Sequence, residues 1–526
     1  MSSEILSEKT KYKSKSMFFR VLFSRTMITF VMLLIQIIFL AGVFVWLNSY
    51  SSYILLSCSI LGALLVIFLI SSNGRAEFEF AWIIIICVLP VFGVMLYLFV
   101  LLNPGSLGRQ KLLERRVKET EEYFAAQEYV EEALNREKKD IRQIARYLKN
   151  IGGYPAYQNT DVTYFPLGEK KYEDLLIELK KAEKFIFLEY FLIDLGIVWS
   201  SVLEILKEKA AQGVEVRVMY DGTCTVALLP YSYPKTLRAY GIKAKVFAPI
   251  RPMLSTHQNN RDHRKILVID GRVGYTGGVN LADEYMNLRE LYGHWKDAAI
   301  KLEGDAVRTL TLLFLQMWNI TERDGEFYAN YIREPLPVIK KSRDDGFLIP
   351  YGDDPVNGED IAENVYRYLI NGAKNYIHIM SPYFIVDSEM LSAITFAAKR
   401  GVDVKLLLPH IPDKKIPFMM AKTYYRTLLG AGVEIYEYTP GFVHAKVMVS
   451  DDKKAVVGTI NMDYRSMYHH FECGVLLYRK KVIREIEEDF QSTLEQSQRI
   501  TMEDYEKLPL FSRFMGRVFR LFEPLM

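Results

Sequence analysis

Cysteine is scarce in this chain of 526 residues, and its few cysteines form no recognisable framework. Cys58, Cys87, Cys224 and Cys473 include no Cys-x-x-Cys pair, and the first two lie in apolar runs. Neither a disulfide-stapled fold nor a cysteine zinc site is therefore expected. A strong charge of one sign is also lacking, since 66 Lys and Arg against 63 Asp and Glu leave a net charge of +3. That balance argues against a chain that binds nucleic acid along its length.

Long apolar runs are present, and they are confined to the first hundred or so residues. The runs at 27–47, 53–70 and 81–102 contain no charged residue. Each is long enough, the second only just, to cross a bilayer core of about 30 Å as a helix. The first run is too long for a signal-peptide core and lacks a small-x-small cleavage site. We therefore predict a membrane-anchoring region over 1–107 and a multi-pass protein of the cell membrane.

The number of full spans and the side of the membrane stay open. Basic residues precede the first run and follow the third. The positive-inside rule would place both groups on the cytoplasmic side, whereas three full spans would place them on opposite sides. One run could instead be re-entrant, with Pro90 as the break. The charged stretch at 108–150, which contains hardly any Gly or Pro, then predicts a helical linker on the surface.

From residue 151 onward the chain is an internal duplication. The stretch "AEKFIFLEYFLID" resembles "AKNYIHIMSPYFIVD", and "GVEVRVM" resembles "GVDVKLL". In each half, apolar β-branched runs alternate with amphipathic stretches, which predicts an α/β fold with helices packed on a sheet. We place the first half at 151–340 and the second at 341–526, with a C-terminal amphipathic segment.

Both halves contain the same polar frame, H-x-K-x-x-x-x-D followed by glycine and asparagine. The frame residues are His263, Lys265, Asp270 and Asn280 in the first half, and His444, Lys446, Asp451 and Asn461 in the second, at a constant offset of 181 residues. On a strand, the histidine and the lysine share one face. The glycines allow a ligand to approach the backbone. This arrangement is typical of a ligand site rather than of a core.

In-line displacement at phosphorus explains why one chain needs two such frames. One histidine attacks phosphorus, and the other protonates the leaving oxygen on the opposite face. The lysines and asparagines can donate hydrogen bonds to the non-bridging oxygens. This chemistry requires no metal and no other cofactor, and we predict none. The remaining histidines show no such frame and are interpreted as surface or packing residues: His257, His294, His378, His410, His469 and His470.

The two frames resemble the signature of the phospholipase D superfamily. Further stretches, including "LEYFLID", "WKDAAIKLEGDAV" and "HFECGV", are similar to bacterial cardiolipin synthases, over nearly the whole chain after about residue 20. The resemblance implies two duplicated phospholipase D-type halves that follow transmembrane helices and share an active site at their interface. It also implies the reaction: a phosphatidyl group passes from one phosphatidylglycerol to another through a phosphohistidine, which gives cardiolipin and glycerol.

By motif position, the resemblance implies roles for individual residues. The catalytic residues it implies are His263, Lys265, Asp270, His444, Lys446 and Asp451. The substrate-binding residues it implies are Asn280, Asn461 and Glu472. Glu472 is also expected to hydrogen-bond a catalytic histidine, with Asp297 as its counterpart. The resemblance favours His263 as nucleophile and His444 as acid, a choice that the two nearly identical frames leave open.

Other functions stay open on the same residues. A hydrolytic phospholipase D would use water as the acceptor, and a non-catalytic membrane scaffold would not need the frames. A membrane-tethered nuclease would need a basic groove with interleaved aromatics, which neither frame adjoins. The expected partners are phosphatidylglycerol and anionic membrane lipids, not nucleic acid, and the oligomeric state is left open. The C-terminal "LPLFSRFMGRVFRLFEPLM" predicts either an interfacial helix on anionic lipids or a helix packed on the core.

Overall fold

The computed structural model describes most of the chain after residue 50. The described residues are 34, 38, 42, 45, 51–72, 74–101, 104–124, 126–250, 260–322, 326–332 and 346–525. The chain divides into two compact units. The first consists of Met1–Pro104, Gly222–Pro230 and Ala248–Gln258, and the second of Gly105–Asp221, Tyr231–Phe247 and Asn259–Met526. The first predicted span, 27–47, lies outside the described residues except at four positions.

Between residues 51 and 101, the first unit contains the apolar helices α1 (Ser51–Ser71), α2 (Ala76–Val88) and α3 (Pro90–Leu101). The third apolar run is therefore broken at the expected place, because Pro90 has no N–H for the helix before it and favours the first position of a new one. Gly93 lets the two segments pack closely, since a Cβ there would lie 2.7 Å from the Ile85 carbonyl oxygen. Within the described part of the chain, no helix combines the length and apolar character needed to cross a membrane.

The charged stretch after the apolar runs forms helices, as the composition predicts. They are α4 (Pro104–Thr120), α5 (Glu128–Arg136) and α6 (Lys139–Gly152). The stretch is not only a solvated face. Arg116 is fully buried and donates to the backbone oxygens of Asn319, at 2.9 Å, and Glu322, at 2.6 Å. The helix α6 ends at Gly153, whose φ of 74° is the left-handed cap conformation that glycine adopts without strain.

Two sheets dominate the second unit, one for each predicted half. The first contains seven strands in the order β1-β8-β6-β5-β2-β3-β4. Its strands are β1 (Thr160–Phe165), β2 (Phe185–Tyr190), β3 (Glu215–Asp221), β4 (Lys243–Phe247), β5 (Lys265–Ile269), β6 (Val273–Gly277) and β8 (Ala299–Gly304). Its helices are α7 (Gly168–Lys180), α8 (Ile197–Ala211), α10 (Tyr233–Ala239) and α11 (Val307–Asn319); a short α9 (Cys224–Ala227) belongs to the first unit.

The second sheet repeats this order and adds one strand, in the order β19-β13-β12-β10-β15-β16-β18-β9. Its strands are β9 (Phe347–Asp353), β10 (Tyr376–Met380), β12 (Asp403–Pro409), β13 (Glu434–Tyr438), β15 (Val447–Ser450), β16 (Lys454–Gly458), β18 (Glu472–Tyr478) and β19 (Ser497–Ile500). Its helices are α12 (Ile361–Gly372), α13 (Ser388–Lys399), α14 (Lys415–Gly430), α15 (Tyr464–Tyr468), α16 (Val482–Glu495), α17 (Met502–Glu506) and α18 (Leu510–Arg520). The predicted α/β class and the duplication are confirmed.

The halves exchange contacts reciprocally. The helix α11 of the first half contacts β2, β5 and β6 of its own sheet and β9 of the other. The helix α16 of the second half contacts β10, β13 and β15 of its own sheet and β1 of the first. A further pair of short strands, β11 (Phe384–Ile385) and β17 (Met462–Asp463), lies within the second half.

Two short parallel pairings cross between the halves. The strand β7 (His294–Lys296) pairs with β14 (Gly441–Val443), and Asp262 forms an isolated bridge with Phe471. The first pairing requires a glycine, because a Cβ on Gly441 would lie 2.3 Å from the His294 carbonyl oxygen. Both histidine frames follow directly from these pairings, so the fold places each frame against the other half.

Candidate active site

The two frame histidines occupy equivalent positions just before their strands. His263 precedes β5, and its backbone N–H donates to the Phe471 carbonyl at 2.9 Å. His444 precedes β15, and its N–H donates to the Lys296 carbonyl at 2.7 Å. Both side chains are buried. Each histidine is therefore fixed by backbone from the opposite half.

Each imidazole is also oriented by a carboxylate from the opposite half. His263 Nδ1 lies 2.8 Å from Glu472 Oε1, and His444 Nδ1 lies 2.6 Å from Asp297 Oδ2. These are the hydrogen bonds expected for Glu472 and its counterpart Asp297. Because Nδ1 of His263 is engaged, its Nε2 is left to face a substrate. Neither half alone contains an oriented histidine, so a complete site needs both.

The two lysines accompany their histidines. Lys265 Nζ donates to the His263 carbonyl at 2.6 Å, and Lys446 Nζ lies 3.0 Å from His444 Nε2. Burial lowers the pKa of Lys265 to about 8 and that of Lys446 to about 7. A bound anion would favour the protonated form of both. The pair can thus stabilise the charge of a phosphate.

Burial also lowers the pKa of both histidines, in the case of His444 to about 4. Their carboxylate partners differ from each other. Burial raises the pKa of Glu472 to about 8. Burial acts in the same direction on Asp297, but His444 and Lys446 hold the pKa of that carboxyl below its usual value. Asp297 is therefore the ionised partner, and it favours a charged imidazole at His444 more than Glu472 does at His263.

The frame aspartates lie away from the histidines. Asp270 follows β5 at the end opposite His263, and its carboxylate accepts the backbone N–H groups of Glu183, Lys184 and Phe185, each at 2.8 Å. Asp451 does the same for the N–H groups of Lys374, Asn375 and Tyr376. Both carboxylates hold the start of a neighbouring strand. The structure does not bring them to the histidines and lysines.

The frame asparagines differ in their surroundings. Asn280 accepts from the Leu192 N–H at 3.1 Å and donates to the Tyr285 hydroxyl at 2.8 Å, and the Tyr285 ring lies 5.3 Å from that of His444. Asn461 is buried, and its Oδ1 has no hydrogen-bond partner among the described residues. Asn280 thus supports the wall of the site, while Asn461 retains an unused polar atom.

A third lysine of the site, Lys171, was not predicted from the sequence. It projects from α7 into the core, where Nζ donates to the Val279 carbonyl at 3.1 Å. Burial lowers its pKa to about 7, and the charges of Asp297 and Lys265 also act on it. A lysine on an amphipathic helix reads as a solvated charge. Only its direct neighbour in "GEKKYEDLL", the exposed Lys170, fits that pattern.

The histidines interpreted as surface or packing residues do not all have the same surroundings. His378 lies 2.9 Å from Glu487 Oε1 and stacks on Phe490, which is a packing role. His470, by contrast, lies beside the site, with its ring 5.4 Å from that of His263. No sequence signal distinguished it, because its place depends on the bridge between Asp262 and Phe471. His257 lies outside the described residues.

One group of side chains could hold a metal ion in the part of the chain that the structure describes. His263, His470 and Glu472 offer ligand atoms that all lie within 4.8 Å of one another. Two histidines and a carboxylate form a donor set that zinc accepts. Two of the three are already hydrogen-bonded to each other, so an ion here would compete with the pairing that orients His263.

Each α/β half contributes a His-Lys pair to one buried site and a carboxylate to the histidine of the other half. This arrangement defines a phospholipase D-like protein. Residues 175–318 and 366–494 match the family model described as "Cardiolipin synthase, PLD-like domain". The chain belongs to this family of phospholipase D-like cardiolipin synthases.

Several relatives match along most of the chain. An uncharacterised protein of Streptococcus mutans is 47% identical over 461 residues, which cover 88% of this chain and 99% of that protein. A cardiolipin synthase of Geobacillus kaustophilus is 35% identical, over 90% of this chain and 93% of its own. Among solved structures, a phosphatidylserine synthase of Haemophilus influenzae has a TM-score of 0.56 at 13% identity and covers 73% of this chain and 100% of its own. That likeness supports the fold.

Proposed function

We propose that the protein is a cardiolipin synthase, a phosphatidyltransferase that uses one phosphatidylglycerol as donor and a second as acceptor. The observation that carries this proposal is the reciprocal pairing of two buried histidines with carboxylates of opposite halves. Family membership and the near end-to-end match to a cardiolipin synthase support the choice of substrate.

The reaction proceeds in two displacements at one phosphorus atom. In the first, His263 Nε2 attacks phosphorus, the bond from phosphorus to the glycerol headgroup oxygen breaks, and His444 gives that oxygen a proton. In the second, His444 takes a proton from a hydroxyl of the other phosphatidylglycerol. That oxygen attacks phosphorus, and the bond to His263 breaks. Cardiolipin and glycerol are the products, and both histidines return to their starting state.

The carboxylate partners support this assignment of roles. An acid must be able to carry the proton that it donates, and the ionised Asp297 favours that form of His444. At His263, hydrogen bonding to Glu472 holds the tautomer whose Nε2 is free to attack. Lys265 and Lys446 stabilise the phosphoryl oxygens. Asp270 and Asp451 act indirectly, by fixing the strands that present the frames.

The purified protein, in mixed micelles with phosphatidylglycerol as the sole lipid, is expected to form cardiolipin and glycerol in equal amounts without added metal or nucleotide. Thin-layer separation of the lipids and an enzymatic glycerol assay check this result. Phosphatidic acid as the sole lipid product would mean that water is the acceptor, and a hydrolytic phospholipase D would replace the proposal. Loss of activity in a chelator would contradict the metal-free mechanism.

The enzyme is also proposed to act at the cell membrane, anchored there as a multi-pass protein by the apolar runs near its N-terminus.

The C-terminal helix α18 adds a second contact. Gly516 lets this helix pack closely on α14, since a Cβ at that position would lie 2.7 Å from the Met419 carbonyl oxygen. Leu510, Phe511 and Phe514 remain 78%, 75% and 63% exposed. An exposed aromatic face beside arginines is suited to an anionic bilayer surface. The two alternatives for this helix are thus compatible.

Replacing Phe511 and Phe514 together with serine is expected to lower cardiolipin formation on anionic vesicles about threefold to tenfold, because the two exposed rings would no longer insert into the bilayer surface and hold the site there. Turnover of a soluble nitrophenyl phosphodiester should not change. Phe396→Ser, an exposed phenylalanine on α13, is the matched control. Equal rates on both substrates for the double variant would contradict the contact. Release of the wild-type chain from membranes by alkaline carbonate would contradict anchoring.

A further inference from the structure

His470 lies beside the proposed nucleophile and has no part in the two displacements. Its side chain is 8% exposed, and neither ring nitrogen has a hydrogen-bond partner among the described residues. A buried polar group without a partner is unfavourable, so a ligand that supplies a partner gains affinity. The unpaired ring is adjacent to His263, with 5.4 Å between the ring centroids.

The backbone holds this histidine in place. The N–H of His470 donates to the Arg465 carbonyl at 2.8 Å. The next residue, Phe471, donates to the Arg261 carbonyl at 2.8 Å, and its own carbonyl accepts from the N–H of His263. The backbone at His470 is therefore fixed relative to the backbone of the proposed nucleophile.

The surroundings of His470 are cationic. Burial, and then the charges of Arg465, His469, Lys265 and Arg261, lower the pKa of His470 well below its usual value. A histidine ring offers at least one N–H donor in either charge state. Arg465 is exposed, in the same turn of chain. Glu472 lies 3.9 Å from the His470 ring, and it is already bonded to His263. A concentration of positive charge around an unused donor favours an anion.

The proposed reaction requires the site to hold two phosphates at once. When the second lipid attacks, the transferring phosphoryl group is bound to His263. The attacking lipid also carries its own phosphate, three glycerol carbons from its reacting hydroxyl. Lys265 and Lys446 serve the transferring group. Without a separate cationic subsite, the two anions would repel each other in a buried site.

We propose that His470 and Arg465 form a second anion subsite, which binds the phosphate of the acceptor lipid. His470 donates its N–H to a phosphate oxygen, and Arg465 supplies charge at the rim. The inference rests on the proposed cardiolipin synthase function and deepens it, because it makes an anionic phospholipid a better acceptor than a neutral polyol or water.

The test compares two acceptors in the full chain. Phosphatidylglycerol carries a phosphate, whereas radiolabelled glycerol does not, and transfer to it regenerates labelled phosphatidylglycerol. Arg465→Gln is expected to lower cardiolipin formation about tenfold and to change label incorporation less than twofold. Arg465→Lys, which keeps the charge, should recover most of the loss. His470→Asn should shift the ratio of the two products in the same direction as Arg465→Gln.

Arg484→Gln, an exposed arginine on α16, is the matched control and should change neither rate. Equal losses with both acceptors would overturn the inference, since Arg465 and His470 would then serve the transferring group. Unchanged rates with both acceptors would overturn it as well. Failure of the proposed function is distinguishable, because the wild-type protein would then form no cardiolipin from phosphatidylglycerol.

Discussion

Replacing His263 or His444 with alanine is expected to lower cardiolipin formation by about 10⁴-fold or more in each case. In the proposed mechanism His263 forms the bond to phosphorus, so without it no covalent intermediate exists. Without His444, the glycerol oxygen leaves unprotonated and the second lipid is not deprotonated. The measurement is the initial rate with phosphatidylglycerol, alongside the melting temperature, which separates loss of chemistry from loss of fold.

The double variant is expected to be little worse than either single variant, because groups that act in one sequence of bonds are strongly non-additive. If the fold-reduction in rate of the double variant equals the product of the two single reductions, the halves work as separate sites. With a nitrophenyl phosphodiester, whose leaving group needs no acid, His444→Ala should accumulate a phosphoryl adduct on His263. Mass spectrometry that located this adduct on His444 in the wild-type protein would reverse the two roles.

Asp270→Asn and Asp451→Asn, in the same frames, are expected to lower stability rather than turnover. Each carboxylate accepts three backbone N–H groups at a strand start. Its loss should cost about 2 kcal/mol of unfolding free energy, while the folded variants should turn over at near the wild-type rate. If an aspartate variant melts normally but loses as much cardiolipin formation as the histidine variants, the aspartates would count among the reacting groups.

The spacing of the two frames predicted that their histidines and lysines share one candidate site, and the structure brings these four side chains together. Strand alternation places His263 and Lys265 on one face, and the duplication implies a partner frame. The same strand geometry places Asp270 at the far end of the strand, away from His263 and Lys265. Seven steps of extended chain, at about 3.3 Å each, place it roughly 23 Å from His263. The resemblance treated the frame as one unit, although its two ends lie at opposite ends of a strand.

Residues whose place depends on contacts between the halves could not be predicted from spacing. Lys171 reads as a surface charge until α7 packs against the first sheet, and His470 reads as a packing residue until its segment pairs with Asp262. Glu472 and Asp297 were anticipated only through resemblance. Their exchange across the halves follows from the pairing of β7 with β14 and from the bridge at Phe471.

This exchange of carboxylates gives the two identical frames different chemistry. Both histidines are buried, and burial alone would keep both neutral. Asp297 raises the pKa of His444, against the effects of burial and Lys446. Burial raises the pKa of Glu472 to about 8, so its charge does less than that of Asp297 to favour a protonated imidazole. Asp297 therefore favours a protonated His444 more than Glu472 favours a protonated His263, which supports the proposed roles of acid and nucleophile.

Asp297→Asn and Glu472→Gln are each expected to lower cardiolipin formation roughly 10³-fold to 10⁴-fold, since an amide in place of a carboxylate no longer holds the productive tautomer. The two variants should differ with a nitrophenyl phosphodiester. Asp297→Asn removes the charge that raises the pKa of His444, so fewer His444 side chains are protonated at a given pH, and the alkaline decline of the rate with phosphatidylglycerol moves to lower pH. A leaving group that needs no acid should restore the first step, seen as a near-normal burst of nitrophenol.

Glu472→Gln should slow that burst, because its effect falls on the attacking Nε2 of His263 rather than on the leaving group. Asp489→Asn is the matched control. Asp489 bonds Lys296, the direct neighbour of Asp297, at 2.7 Å, so its variant perturbs the same turn of chain without touching either histidine–carboxylate hydrogen bond. A normal burst in Glu472→Gln together with a lost burst in Asp297→Asn would mean that His444 is the nucleophile and His263 the acid. Equal slowing of the burst in both variants would mean that the carboxylates only hold the fold, and that the asymmetry between the two histidines arises from the bound lipid instead.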